Sequence, residues 1–135
     1  DIVMEAVKNG CSLRYASEEF KNDKDIIMEA VKNDGSSLEY ASKELKNDKD
    51  IVMEAVKNDG YSLRFASEEL KNDKDIVMEA VKKNGLSLKY VSKELCNNYE
   101  ILNLAIENIH NFKLNILKFS SNTLQNNNEI ILKYS

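Results

Sequence analysis

Apolar and polar residues follow one another along this chain in a pattern that restarts every 25 residues. In the copy spanning 50–74, "DIVMEAVKNDGYSLRFASEELKNDK", 100° steps place Ile51, Val52, Ala55 and Val56 on one arc bordered by Met53. Asp50, Glu54, Lys57 and Asn58 fall on the opposite side, so the phrase predicts an amphipathic helix whose broad apolar arc suits a position between two neighbours. Its start is marked by Asn47 or Asp48 as cap, with Asp50 near the positive end of the helix dipole. Its end is marked by "KNDG", in which Gly60 reads as the left-handed residue just past the last turn. Gly10, Gly35 and Gly85 share that register and that expected role as helix C-cap glycines.

A second segment, "SLRFASEEL", puts Leu63, Ala66 and Leu70 on one face. A single straight helix through it would set Glu69 between Phe65 and Ala66, so a break is expected. Ser67, matched by Ser17, Ser42 and Ser92, then caps a fresh short turn with two acidic residues in it. Each unit is thus one longer helix plus one shorter helix or 3-10 turn.

The acidic residue that opens each phrase stands at Asp1, Asp25, Asp50, Asp75, Glu100 and Glu129. Units are therefore expected at 1–24, 25–49, 50–74 and 75–99, with a divergent fifth at 100–128 and the start of a sixth at 129–135. The first unit lacks one residue and the fifth carries four extra. A 25-residue unit buries too little to fold alone, because ordering each residue opposes folding by about 1.5 kcal/mol. The pattern predicts an all-α fold, an α-solenoid of about five stacked repeats in which each copy covers the next. A coiled coil is excluded by the period and the glycines, and a leucine-rich repeat by the missing L-x-x-L-x-L strand.

A longer period overlies the first. Arg14 with Glu18, Glu39 with Lys43 and Arg64 with Glu68 are four apart, and their signs reverse from unit to unit. Two readings stand: a solvated face of weak pairs, or a charge code between repeats that sets the stacking register.

Composition narrows the picture further. No proline, four glycines and 31% charged residues agree with helix. A net charge of −4 with interleaved signs argues against nucleic acid as a partner. No apolar run is long enough to span a membrane. Cys11 and Cys96 lack a CxxC or Cys/His companion, which fits an intracellular, cytoplasmic setting. The chain opens without Met and stops inside a phrase, the expectation for a piece of something longer.

The "DIVMEAVKNDG" block of Asp50–Gly60 and the "LRFASEELKND" block of Leu63–Asp73, with their counterparts, make residues 1–100 resemble the tandem repeat family catalogued as domain of unknown function forty-one-sixteen. Past residue 100 the likeness thins, with His110 in the place of Gly and Ser120 in the place of Ala. The resemblance implies a helical repeat array and carries no activity with it.

Candidate chemistry is sparse. His110 has no second ligand at useful spacing, the two cysteines read as incidental thiols, and "NDKD" lacks the spacing of a calcium loop. Met4, Met28, Met53 and Met78 read as core edge. No nucleophile, base or metal set is recognisable, so neither enzyme activity nor a cofactor is expected. Variation concentrates just after each glycine, at Cys11, Ser36, Tyr61 and Leu86. In an otherwise uniform array such positions can carry partner specificity, or can simply be exposed and unconstrained. The expectation is a protein–protein interaction scaffold. The alternative is a structural element that self-associates end to end.

Overall fold

The computed structural model describes residues 2–10 and 12–109. Each inner unit is a coil of three short helical pieces. In the third, α5 (Lys49–Asn58) is followed by a 3-10 helix, Gly60–Phe65, and a 3-10 turn, Leu70–Asn72. The second has α3 (Lys24–Asn33), a 3-10 helix at Gly35–Tyr40 and α4 (Lys43–Lys46). The fourth has α6 (Lys74–Lys83) with 3-10 pieces at Gly85–Tyr90 and Leu95–Asn97. The first unit supplies α1 (Ile2–Lys8) and α2 (Glu18–Lys21), and the fifth supplies α7 (Tyr99–Glu107). No strand occurs among the described residues. The rest of the fifth unit and the start of the sixth, including His110 and Ser120, lie outside the described residues, as does Cys11.

Local chemistry accounts for the pieces. Asp48 is the cap of α5, its carboxylate accepting from the N–H groups of Asp50 and Ile51. Asp23 and Asp73 do the same for α3 and α6, and the amide oxygen of Asn98 accepts the corresponding pair for α7. Asp59 ends α5 and, in extended backbone, begins the 3-10 helix by accepting from the N–H of Tyr61. The expected break falls at Ala66, which is extended, and Ser67 Oγ then accepts from the Leu70 N–H at 3.2 Å. Two corners per unit turn the chain back to its starting edge.

Helices α1, α3, α5, α6 and α7 stack side by side, and the 3-10 helices form a parallel second ladder against them. Between these ladders runs one continuous core. Ile51, Val52, Ala55 and Val56 are fully buried, as are their counterparts Ile76, Val77, Ala80 and Val81. Leu63, Ala66 and Leu70 close the core from the other segments. The α-solenoid expected from the period is what the chain forms.

The glycines depart from expectation. Only Gly10 has a positive φ, at 85°. Gly35, Gly60 and Gly85 are not left-handed C-caps; each opens a 3-10 helix and is buried. A Cβ on Gly60 would run into the carbonyl oxygen of Ala80 in the next unit and lie 3.2 Å from the Lys83 Cβ. Gly35 meets the Ala55 carbonyl and Gly85 the Ala105 carbonyl in the same way. The inner glycines are there because backbone of one repeat rests on backbone of the next, not because of a turn.

Candidate functional site

Two sets of side chains face outward from this frame. One locks repeat to repeat; the other varies from unit to unit.

The lock is built from the recurring "NDKD". Lys49 reaches into the following unit, 3.1 Å from both Asp73 and Asp75. Lys24 does so with Asp48 at 3.0 Å and Asp50 at 3.4 Å, and Lys74 with Glu100 at 3.2 Å. The hydrogen bonds from Lys49 to Asp73 and Asp75 hold its ammonium above the usual lysine range, and Asp48 does the same for Lys24. Burial pulls the Asp48 carboxyl up. Hydrogen bonds from Lys24 and from the Ile51 and Asp50 N–H groups outweigh that, and its pKa falls below the usual range. On the opposite corner, Ser67 Oγ donates to Asn47 Oδ1 at 2.6 Å while the Ser67 N–H donates to the Lys46 carbonyl. Ser42 with Asn22 and Ser92 with Asn72 repeat that geometry. A third clamp comes from Asn58, which accepts from the Gly35 N–H at 2.7 Å and donates to the Lys32 carbonyl.

These are not the charge pairs the sequence suggested. Arg14–Glu18, Glu39–Lys43 and Arg64–Glu68 form no ion pair among the described residues, because the corner at Ala66 and its counterparts removes the shared helix face on which a four-residue spacing would meet. Glu68 turns instead to Lys71 at 3.2 Å and Glu18 to Lys21 at 3.8 Å. Arg64 lies over its neighbour Phe65, 4.5 Å from the ring centroid, and Arg14 lies over Tyr15 at 5.5 Å. The ladder that does form was missed even though Lys24, Lys49 and Lys74 recur at the period. Read as helix caps only, the "NDKD" motifs concealed their reach of 24 and 26 residues.

The varying set lies on the 3-10 ladder. Ser36, Tyr61 and Leu86 are half-buried, each with its N–H fixed by the preceding Asp34, Asp59 or Asn84. Tyr61 packs edge-on against Tyr90 of the next unit, with ring centroids 6.1 Å apart at 85°. Lys89 lies 5.0 Å from the centroid of that Tyr90 ring. In the third unit the residue after the glycine thus packs on the following unit's aromatic. Cys11, the first member of the set, lies outside the described residues. Cys96 sits elsewhere, its thiol donating to the Lys93 carbonyl at 3.2 Å.

No group of three or more His, Cys, Asp or Glu side chains is arranged to hold a metal ion among the described residues. No described helix is long and apolar enough to cross a membrane.

The family model described as Domain of unknown function (DUF4116) matches four overlapping windows, residues 1–46, 23–71, 48–96 and 73–114. The chain belongs to this family. Each window starts about one repeat after the last and spans close to two, in keeping with a fold whose contacts join neighbouring units. Neither the curated proteins nor the solved structures offer a match.

Proposed function

We propose that the array is a non-catalytic scaffold for protein–protein interaction, with the 3-10 ladder as its recognition face. The observation that carries this reading is the Tyr61–Tyr90 contact: a residue that differs in every unit sits half-exposed on an aromatic ladder whose support is otherwise uniform. Tyrosine with a flanking cation is the composition that interfaces favour at their centres. A net charge of −4 supports a protein rather than a nucleic-acid partner. The cysteine usage supports an intracellular, cytoplasmic location.

The test compares cross-linked partners of the full chain with those of Tyr61→Ser and Leu86→Ser, both expected to remain folded. A shared set of partners lost in both variants supports the reading, and an unchanged set contradicts it.

A second reading, a structural element stacking end to end, is favoured by one observation. Ile2 is 89% exposed, whereas Ile26, Ile51, Ile76 and Ile101 at the same register are buried. The α1 face thus carries the same apolar arc that the other units bury against one another, and such a heterologous surface can propagate. Ile131, the residue expected at the other end, lies outside the described residues. Ile2→Asp should abolish concentration-dependent association if this reading holds.

A further inference from the structure

Residues 80–93 carry four lysines and no acid, in a chain whose net charge is −4. Three differences between this stretch and the earlier units raise the charge of the 3-10 ladder. Lys83 stands where those units have Asn33 and Asn58, Asn84 where they have Asp34 and Asp59, and Lys89 where the second has Glu39. The first difference gives up a clamp: Asn58 accepts from the Gly35 N–H and donates to the Lys32 carbonyl, whereas a lysine has no acceptor for the equivalent Gly60 N–H. The second keeps the cap and sheds only the charge, since Asn84 accepts from the Leu86 N–H at 3.0 Å as Asp59 does from Tyr61.

Contacts set the cations beside the aromatics on one surface, where Arg64, Lys83 and Lys89 are exposed. Lys83 packs against the start of the third unit's 3-10 helix, its Cβ 3.2 Å from where a Cβ on Gly60 would stand, next to Tyr61. Tyr61 meets Tyr90 edge-on, and the Lys89 ammonium lies 5.0 Å from the centroid of the Tyr90 ring. Arg64 follows Tyr61 by three residues, and a 3-10 helix eclipses positions three apart. Neither Gly60–Phe65 nor Gly85–Tyr90 contains an acid. The Asp59 carboxylate is turned to the Tyr61 N–H, and Glu68 pairs with Lys71. The glutamate row Glu19, Glu44, Glu69 and Glu94 belongs to the corner segments. The cleft that Glu19 and Glu44 line takes in no residue of a 3-10 helix, and Glu69 accepts from Asn47 of the preceding unit at 3.2 Å.

We propose that the 3-10 helices of the third and fourth units bind an extended acidic peptide segment whose carboxylates stand three residues apart, with apolar side chains between them. Three extended residues span about 10 Å. Neighbouring helices are roughly 8–10 Å apart, so carboxylates at that spacing meet Arg64 and Lys89, and the side chains between them lie on Tyr61, Leu86 and Tyr90. Lys83 supplies a third positive charge beside Tyr61. A nucleic acid would meet the same cations, but its many phosphates would also face the net negative charge of the rest of the chain. The proposal rests on the recognition role given to this ladder and adds the chemistry of the partner.

Fluorescence anisotropy on the whole chain tests it with three labelled probes: a short peptide with glutamate at every third position and leucine and serine between, the same peptide with lysine for glutamate, and a single-stranded oligothymidylate. The glutamate peptide should bind about tenfold or more tighter than either of the others, and about threefold or more weaker in about 500 mM salt than in about 50 mM. Lys83→Asn and Lys89→Glu should each weaken it about threefold, and together about tenfold. Lys83→Asn should melt no lower than the parent, because it restores the residue that clamps the preceding interface. No binding of the glutamate peptide, equal binding of the lysine peptide or the oligonucleotide, undiminished affinity in the double variant, or undiminished affinity in Tyr61→Ser would each overturn the proposal. If it falls while Tyr61→Ser still loses cross-linked partners, the recognition face stands and only its acidic specificity is lost.

Discussion

The turn after α1 and the turn after α5 are built from nearly the same letters and fold differently. In the third unit Asp59 stands between Asn58 and Gly60. Its N–H donates to the Ala55 carbonyl, its carboxylate caps the 3-10 helix, and Gly60 is pressed onto the next repeat. The first unit reads Asn9–Gly10 with no aspartate between them. There the Gly10 N–H donates to the Val7 carbonyl at 2.9 Å, the backbone swings to φ 85°, and nothing lies within 4 Å of where a Cβ would stand. No 3-10 helix follows, and Tyr15 is left 89% exposed where Tyr40, Phe65 and Tyr90 are half-buried. A recess of 260 Å³ opens between this turn and Tyr40, floored by Ala30 and edged by Asn33 and Asp34. One residue thus decides whether a glycine serves as a helix stop or as a seat for the neighbouring repeat.

The two ends of that comparison separate most widely at the apolar positions. Ile76→Ala should destabilise the array by about 2–5 kcal/mol in urea unfolding, since it empties a fully buried site between two helices. Ile2→Ala, at the equivalent position, should change stability by less than about 0.5 kcal/mol. Similar losses at both would mean that the first unit is covered in solution.

Next in size are the corner serines. Ser67 caps its turn and bonds Asn47 of the preceding unit, whereas Ser17 makes no side-chain cap bond. Ser67→Ala should therefore lower stability by about 1–2 kcal/mol and Ser17→Ala by under about 0.5 kcal/mol, read from the midpoints of chemical denaturation.

Smallest are the ion pairs that join one unit to the next. Lys49→Ala should reduce stability by less than Ser67→Ala does, and by less still in molar salt. The pH dependence has a definite sign. Asp48 has a lowered pKa when folded, so its contribution is complete above its unfolded pKa of about 4 and is lost as pH falls through the folded value. Lys24 and Lys49 are raised, so theirs is complete below about 10.5 and is lost as pH rises beyond it. Thermal unfolding should be flat between about pH 5 and 9, and Asp48→Asn should soften the acid limb.

Much of this fold was legible in the residues. The helix over Ile51–Val56, the break before Ser67 and the burial of Leu63 and Leu70 follow from periodicity and cap chemistry, which act within a few positions of one another. What acts across 20 to 26 residues was not. Asn58 bonding the Gly35 N–H, Lys49 bridging Asp73 and Asp75, and Gly60 resting on the Ala80 carbonyl depend on the offset between stacked units, and a one-dimensional pattern carries no such offset. The left-handed reading was right for Gly10 because nothing packs there, and wrong for Gly60 because a neighbour does. At the recognition face, the variation at Ser36, Tyr61 and Leu86 was plain, while the Tyr61–Tyr90 contact needed the geometry.

That repeats are held by backbone seated on backbone is tested most directly by an alanine scan of the four glycines, read by urea unfolding at neutral pH. Gly35→Ala, Gly60→Ala and Gly85→Ala should each destabilise the array by about 3 kcal/mol, because the added methyl runs into a backbone carbonyl of the next unit. Gly10→Ala should fall by only about 1 kcal/mol, the strain of a positive φ with open space around it. Four equal losses near 1 kcal/mol would contradict the account, since they would return all four glycines to a common role as helix stops.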